Sequence, residues 1–244
     1  MYTNHSPSDM EGGGEPVLDS EYNVFSEKTI RMGFIRKVYG ILSVQLLVTL
    51  GSVTLFKAST AANAFALQNT WLVILAIIVV LASLIPLACC GLHRSFPTNM
   101  ILLSVFTVGE SLMIGISTAF RRGDIVFYAV IITAVIVLAL TLFAFQTKID
   151  FTVFNGIMFV FLLVFMLFGM ILIFIPQNKI VTLVYSCIGA LLFSAYLVID
   201  TQMIVGGRHK NQFSAEDYVM GAITLYLDII NMFLYILNIL DASK

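Results

Sequence analysis

From about residue 38 onward the chain alternates long apolar runs with short polar breaks. Seven runs, at about 38–56, 71–91, 100–119, 125–145, 156–176, 180–200 and 219–240, each approach the roughly 20 residues that carry an α-helix across a bilayer. Inside hydrocarbon every backbone N–H and C=O must be satisfied within the protein, so runs of this length predict helices. The breaks are short, which predicts antiparallel neighbours and one compact bundle. The fold class expected is therefore an all-α polytopic membrane protein, a seven-helix domain over residues 35–244. Before it, residues 1–27 carry six acids (Asp9, Glu11, Glu15, Asp19, Glu21 and Glu27) and no Lys or Arg. Such a composition cannot offset its ordering entropy, so residues 1–34 are expected to form a disordered acidic tail.

Composition narrows the function classes. Of 244 residues, 59% are apolar and only 11% charged, well outside the soluble range. Seven spans leave no room for a separate soluble catalytic domain, and a formal charge of -1 argues against nucleic acid as a partner. The three cysteines, Cys89, Cys90 and Cys187, show no metal-ligand spacing and read as buried thiols. Basic residues give the orientation. With the N-terminus cytosolic, Lys28, Arg31, Arg36, Lys37, Arg94, Lys148, Arg208 and Lys210 fall inside, against Lys57, Arg121, Arg122, Lys179 and Lys244 outside. Arg121 and Arg122 are the weak point of that assignment. A last segment that dips in and returns would move Lys244 inside and improve the bias.

Carboxylates at bilayer depth cost on the order of 2.5 to 3.5 kcal/mol and need a partner, a cavity or a proton. Three stand out: Glu110 in Thr107-Val108-Gly109-Glu110-Ser111, Asp200 at the end of the sixth run, and Asp228 in the middle of the seventh. In the seventh run Gly221, Thr224, Asp228, Asn231, Tyr235 and Asn238 recur at spacings of three and four, a polar stripe on one helical face. Ser214 and Asp217 resemble a capping box that would start this helix near Ala215. The stripe either fixes the bundle through interhelical hydrogen bonds or lines a pathway, with Asp228 its most telling member. Asp200 sits at the membrane interface unless its helix runs on to the stop offered by Gly206 and Gly207. Antiparallel packing of the last two helices would then bring Asp200 and Asp228 to compatible depths. Two facing carboxyls would share one proton and titrate as a unit. Deprotonated, they would repel each other and attract a hard divalent cation.

Four segments carry a family likeness: Phe34-Ile35-Arg36-Lys37-Val38-Tyr39, Phe96-Pro97-Thr98-Asn99 through Glu110-Ser111, Asp200-Thr201-Gln202 with Gly206-Gly207-Arg208-His209-Lys210, and Tyr226-Leu227-Asp228-Ile229-Ile230-Asn231. On these the chain resembles the transmembrane Bax inhibitor motif family, its lifeguard branch more than its Golgi anti-apoptotic branch. The resemblance implies six helices around a central C-terminal seventh and a proton-sensitive calcium leak across an intracellular membrane, of the endoplasmic reticulum or Golgi, that restrains apoptosis. It implies that Asp200 and Asp228 are the family's paired aspartates, meeting calcium transiently, and that Arg94 is the nearest match to a basic latch found after span two in bacterial relatives. Glu110, Thr224, Asn231, Tyr235 and Asn238 are then pathway candidates. No cofactor is expected beyond calcium as the permeant ion; the partners are calcium, protons, membrane lipid and membrane proteins of calcium and apoptosis signalling. Lifeguard tails are often long and rich in Pro and Gly, whereas this one is short and acidic. Two other readings stand beside the leak. One is a membrane adaptor that inhibits cell death through contacts alone. The other, an intramembrane aspartyl protease, lacks its expected Gly-x-Gly-Asp, so no enzymatic activity is expected.

Overall fold

A computed structural model describes residues 16–175, 178–207 and 209–243. Residues 1–15 of the expected tail, together with Arg208 and Lys244 of the charge count, lie outside the described residues. Among the described residues eight α-helices follow in order: α1 (Pro16–Ala58), α2 (Thr60–Gln68), α3 (Trp71–Cys89), α4 (Thr98–Ala119), α5 (Gly123–Gln146), α6 (Asn155–Leu172), α7 (Lys179–Val205) and α8 (Tyr218–Ala242). Seven of the helical segments among the described residues are long and apolar enough to cross a membrane.

Two boundaries differ from expectation for local reasons. Helix α1 reaches back to Pro16, so residues 16–34 are helical where a disordered tail was expected. Phe34, Val38 and Leu42 anchor α1 in the core, and once a helix is nucleated, each added residue gains a hydrogen bond for little further ordering cost. Pro16 at the first position needs no N–H partner. The break at 57–70 holds the short helix α2, whose N-cap Ser59 accepts from the N–H of Ala62 at 3.2 Å. Its Ala66 packs with Phe56, Ile116 and Ala119.

Helix α8 is central, as expected of the C-terminal span. With α4 it is the most deeply buried of the spans. Tyr226, Ile223, Leu225, Met232 and Leu237 are almost wholly enclosed, and α1, α4, α5 and α7 pack against it directly. Helix α6 reaches it through Phe165, whose ring meets that of Tyr235 with centroids 5.6 Å apart. Helix α3 stands behind α4, brought close at Gly109, where a Cβ would lie 3.0 Å from Val80. Helix α8 runs unbroken for 25 residues, so the dip-and-return alternative for the last segment is excluded: a re-entrant segment needs a turn. It starts at Tyr218 rather than Ala215, with Asp217 as N-cap.

The weak point of the charge argument has a structural explanation. Arg121 forms an ion pair with Asp241 and donates to Asn238 Oδ1 at 2.9 Å, Arg122 pairs with Asp124 at 2.9 Å, and Lys57 donates to the Arg121 carbonyl. Arg121 and Lys57 are thus tied to bundle neighbours, while Arg122 is matched by a carboxylate of its own helix. The three cysteines are exposed on the outside of the bundle rather than buried as expected; apolar sequence around them marks contact with lipid as much as with protein.

Candidate functional site

Helix α7 does run on past Asp200, to Val205, and ends at Gly206 with φ +62. That left-handed conformation favours glycine, and a Cβ there would collide with the Arg31 guanidinium. Arg31 explains the stop. Its Nε donates to the Val205 carbonyl at 2.9 Å, Nη2 to Met203 at 2.7 Å and Nη1 to Phe213 at 2.7 Å. A cation thus meets the carbonyls left open at a helix C-terminus, and α1 is tied to the α7–α8 link. The sequence placed Arg31 only within a basic cluster; nothing in a one-dimensional pattern marks a cation as a cap for a helix 172 residues away in the chain.

Three successive residues of α7 face three different neighbours, as a rotation of about 100° per residue requires. Asp200 faces α8, with the Asp228 and Thr224 side chains as its polar neighbours there; the Thr224 hydroxyl itself donates to the Gly221 carbonyl at 3.2 Å. Thr201, fully buried, faces Tyr39 of α1 without a well-formed bond. Gln202, also fully buried, accepts from the Phe151 N–H at 2.8 Å and donates to the Ile149 carbonyl at 2.9 Å, fixing the α5–α6 link. Asp200 and Asp228 are 7% and 5% exposed, so the contact is shielded from solvent. Two neighbouring carboxyls shielded from water do not both ionise cheaply, which favours a proton on one of them. Among the described residues Asp228 Oδ2 has no hydrogen-bond partner, nor has the buried Tyr196 hydroxyl, which lies within electrostatic reach of both acids. Asp228 lies about 15 Å along α8 from Tyr218 at 1.5 Å per residue.

Of the rest of the stripe, Tyr235 and Asn238 face α6 and α7, while Gly221 lies between α1 and α7. Asn231 Nδ2 donates to the Leu227 carbonyl of its own helix at 2.8 Å. Tyr235 packs over Gly189, whose Cβ would lie 2.8 Å from the ring, and joins Phe165, Tyr185 and Phe193 in an aromatic cluster. Beyond Tyr235 a cavity of about 220 Å³ opens among Asn178, Thr182, Ser186 and Asn238. Asn238 is also held by Arg121. Among the described residues no three His, Cys, Asp or Glu side chains converge as a metal site. The pair and Thr224 therefore offer fewer oxygens than the six to eight of a resident calcium.

Two sequence candidates fall elsewhere. Arg94 does not reach the aspartate pair: it bonds Asp217 through Nε at 2.7 Å and Nη2 at 3.1 Å, with His93 Nε2 3.3 Å from the same carboxylate. That corrects the expected latch, because the link after α3 meets the start of α8, not its middle. Glu110 faces the other side of α8, near Tyr226. There a second buried polar cluster joins α1, α4 and α8: Thr49 Oγ1 bonds Tyr226 Oη at 2.8 Å and Ser111 Oγ at 3.0 Å, and Gln45 Nε2 donates to Thr107 Oγ1 at 3.1 Å. Apart from Glu110 this cluster is invisible in the sequence, since scattered Thr, Ser and Gln in apolar runs carry no spacing signal.

Comparison with known proteins shows the family. The model of the family described as inhibitor of apoptosis-promoting Bax1 (Bax1-I) matches residues 31–244, from the Arg31 clamp through the aspartate pair. The chain belongs to the Bax inhibitor family. Within it the chain is similar to Protein lifeguard 3 of Homo sapiens, 34% identical over 98% of this chain and 79% of that protein. Protein LIFEGUARD 4 of Arabidopsis thaliana is 34% identical over 97% of this chain and 96% of its own length, and Protein lifeguard 3 of Mus musculus is 34% identical over 89% and 72%. The Bax inhibitor match is consistent with an anti-apoptotic role in a membrane.

Proposed function

We propose that this lifeguard-like protein is a pH-sensitive calcium leak of an intracellular membrane, of the endoplasmic reticulum or Golgi, with its N-terminus cytosolic, and that it restrains apoptosis by lowering the calcium load of that store. The observation that carries the reading is the shielded contact between Asp200 and Asp228 on the two last helices. One shared proton holds the carboxyls, and with them α7 and α8, together. Removing it leaves two like charges in a poor dielectric, which repel and offer oxygens to a hard cation. The polar stripe and the cavity at Asn238 supply a route on the far side, and Tyr235 with its aromatic neighbours closes it in this conformation. Arg94 acts beside the pair's helix by holding Asp217 at the start of α8, and Glu110 belongs to the second polar cluster.

Calcium flux into liposomes containing only this protein, measured against pH, tests the reading. Wild type is expected to leak more as pH rises and the shared proton leaves. With Asp200→Asn and Asp228→Asn together the amides still bond but cannot titrate, so flux stays low and flat. Unchanged flux and an unchanged pH response in that double variant would sink the mechanism, and no flux from wild type at any pH would favour an adaptor acting by contact alone.

A further inference from the structure

Between α1 and α4 the bundle leaves a trough open to the membrane. A cavity of about 380 Å³ lies at the level of Arg36, Lys37, Phe96 and Tyr218. A second, of about 300 Å³, continues past Val44 and Gln45 to Thr107 and Val108. Gly40, Ile41 and Met100 line both, so the two are one continuous trough. Its neck is open because a Cβ on Gly40 would meet nothing within 4 Å.

The chemistry changes along its length. At the mouth Arg36 and Lys37 are exposed and form no ion pair among the described residues. Lys37 Nζ sits 5.4 Å from the centre of the Tyr218 ring. The carboxylate next to that tyrosine, Asp217, is already engaged by Arg94 and His93, so the mouth presents net positive charge. Below Met100 the walls are largely apolar. From Lys37 to Val48 α1 rises about 16 Å, close to half of a hydrocarbon core of roughly 30 Å: the depth of one leaflet. A ligand that fits must be anionic at one end and a hydrocarbon chain at the other.

We propose that the α1–α4 trough binds an anionic phospholipid from the leaflet at the N-terminal end of α1. Its phosphate is held by Arg36 and Lys37, and one acyl chain lies along Gly40, Ile41, Val44 and Leu103. Free phosphate would leave the apolar length unfilled, and a zwitterionic lipid, whose own ammonium cancels its phosphate charge, would leave the net charge of the two cations uncompensated. Basic pockets between spans are the usual seat of such headgroups.

The test uses full-length protein, delipidated in nonionic detergent and titrated with phosphatidylserine, phosphatidylcholine or inorganic phosphate. Retained lipid is counted by native mass spectrometry and the melting midpoint is followed in parallel. Wild type should retain one phosphatidylserine in preference to phosphatidylcholine. Arg36→Gln with Lys37→Gln should lose that preference by about tenfold or more, two interfacial charges being removed. Gly40→Phe should displace the lipid by filling the neck, and Arg122→Gln, on the far side, should change nothing. Equal retention of the neutral lipid, full retention by the double variant, or stabilisation by inorganic phosphate equal to that by lipid would each overturn the proposal.

Discussion

Arg31 illustrates how much one side chain settles at the end of a helix. Its three bonds to the carbonyls of Met203, Val205 and Phe213 are charge-assisted and partly buried, each worth about 1.5 to 3 kcal/mol at most. Arg31→Ala is expected to lower stability by about 2 kcal/mol or more, seen as a lower melting midpoint in detergent. Arg31→Lys should recover only part of it, because an ammonium lacks the planar fork. Tyr226, fully buried and bonded to Thr49, should cost less: Tyr226→Phe removes one intramembrane hydrogen bond, about 0.6 kcal/mol on average. Two carboxylates outside the spans serve as static ties. Asp217 is held below the usual carboxylate range, chiefly by its hydrogen bonds to Arg94. At Asp150 desolvation opposes ionisation, but donors from Lys210, Thr152 and His209 outweigh it and bring the carboxyl down to about 2. Both folded values are depressed, so their stabilisation is present above the ordinary carboxylate value of about 3.9 and is lost as pH falls through the folded value. Asp150→Asn should therefore lower the melting midpoint at pH 7 and lose that effect toward pH 2, without moving any flux response between pH 5 and 8.

At the scale of elements, the contact between α7 and α8 depends on small residues as much as on the acids. Gly189 accepts the Tyr235 ring where a Cβ would stand 2.8 Å away, whereas at Gly221 a Cβ would meet Val38 and Ile204 only at ordinary contact distances of 3.4 and 3.5 Å. Small residues at such crossings let helix backbones close in where no hydrophobic force drives them together. Gly189→Leu should push the helices apart and break the approach of the carboxyls. Cysteine pairs at Asp200 and Asp228 would report this as slower cross-linking in the Gly189→Leu background than in wild type. Much of this was legible in advance: the spacing of Gly221, Thr224, Asp228 and Tyr235 marked one face of α8, and Gly206 marked the end of α7. Of its partners, only Asp200 on the preceding helix was legible, through the short link and the family resemblance; the aromatic and α6 neighbours were not. Helical periodicity says which residues lie together on a helix but not which of six neighbours they meet.

The whole molecule joins a central helix to partners distant in sequence, with its apolar outside turned to lipid; Phe159, Phe161 and Val164 of α6 are all largely exposed. Its orientation is open to a direct check. Single cysteines replacing Lys148 and Lys179, in a background without Cys89, Cys90 and Cys187, should react oppositely with an impermeant maleimide applied to sealed vesicles from the cytosolic side: Lys148→Cys labelled, Lys179→Cys protected. By itself the sequence determined that the chain crosses a bilayer, about where each span lies, and that Asp200, Asp228 and Glu110 sit where a charge is costly. Those properties follow from run length, periodicity and desolvation, all local along the chain. Only the tertiary structure decided that Glu110 faces Tyr226, that Arg94 takes Asp217, that Arg31 caps α7, and that the seam of α1 and α4 carries a trough on its outer side. Each is a contact between faces of helices far apart in sequence, selected by how seven cylinders pack together, and no single helix carries that information.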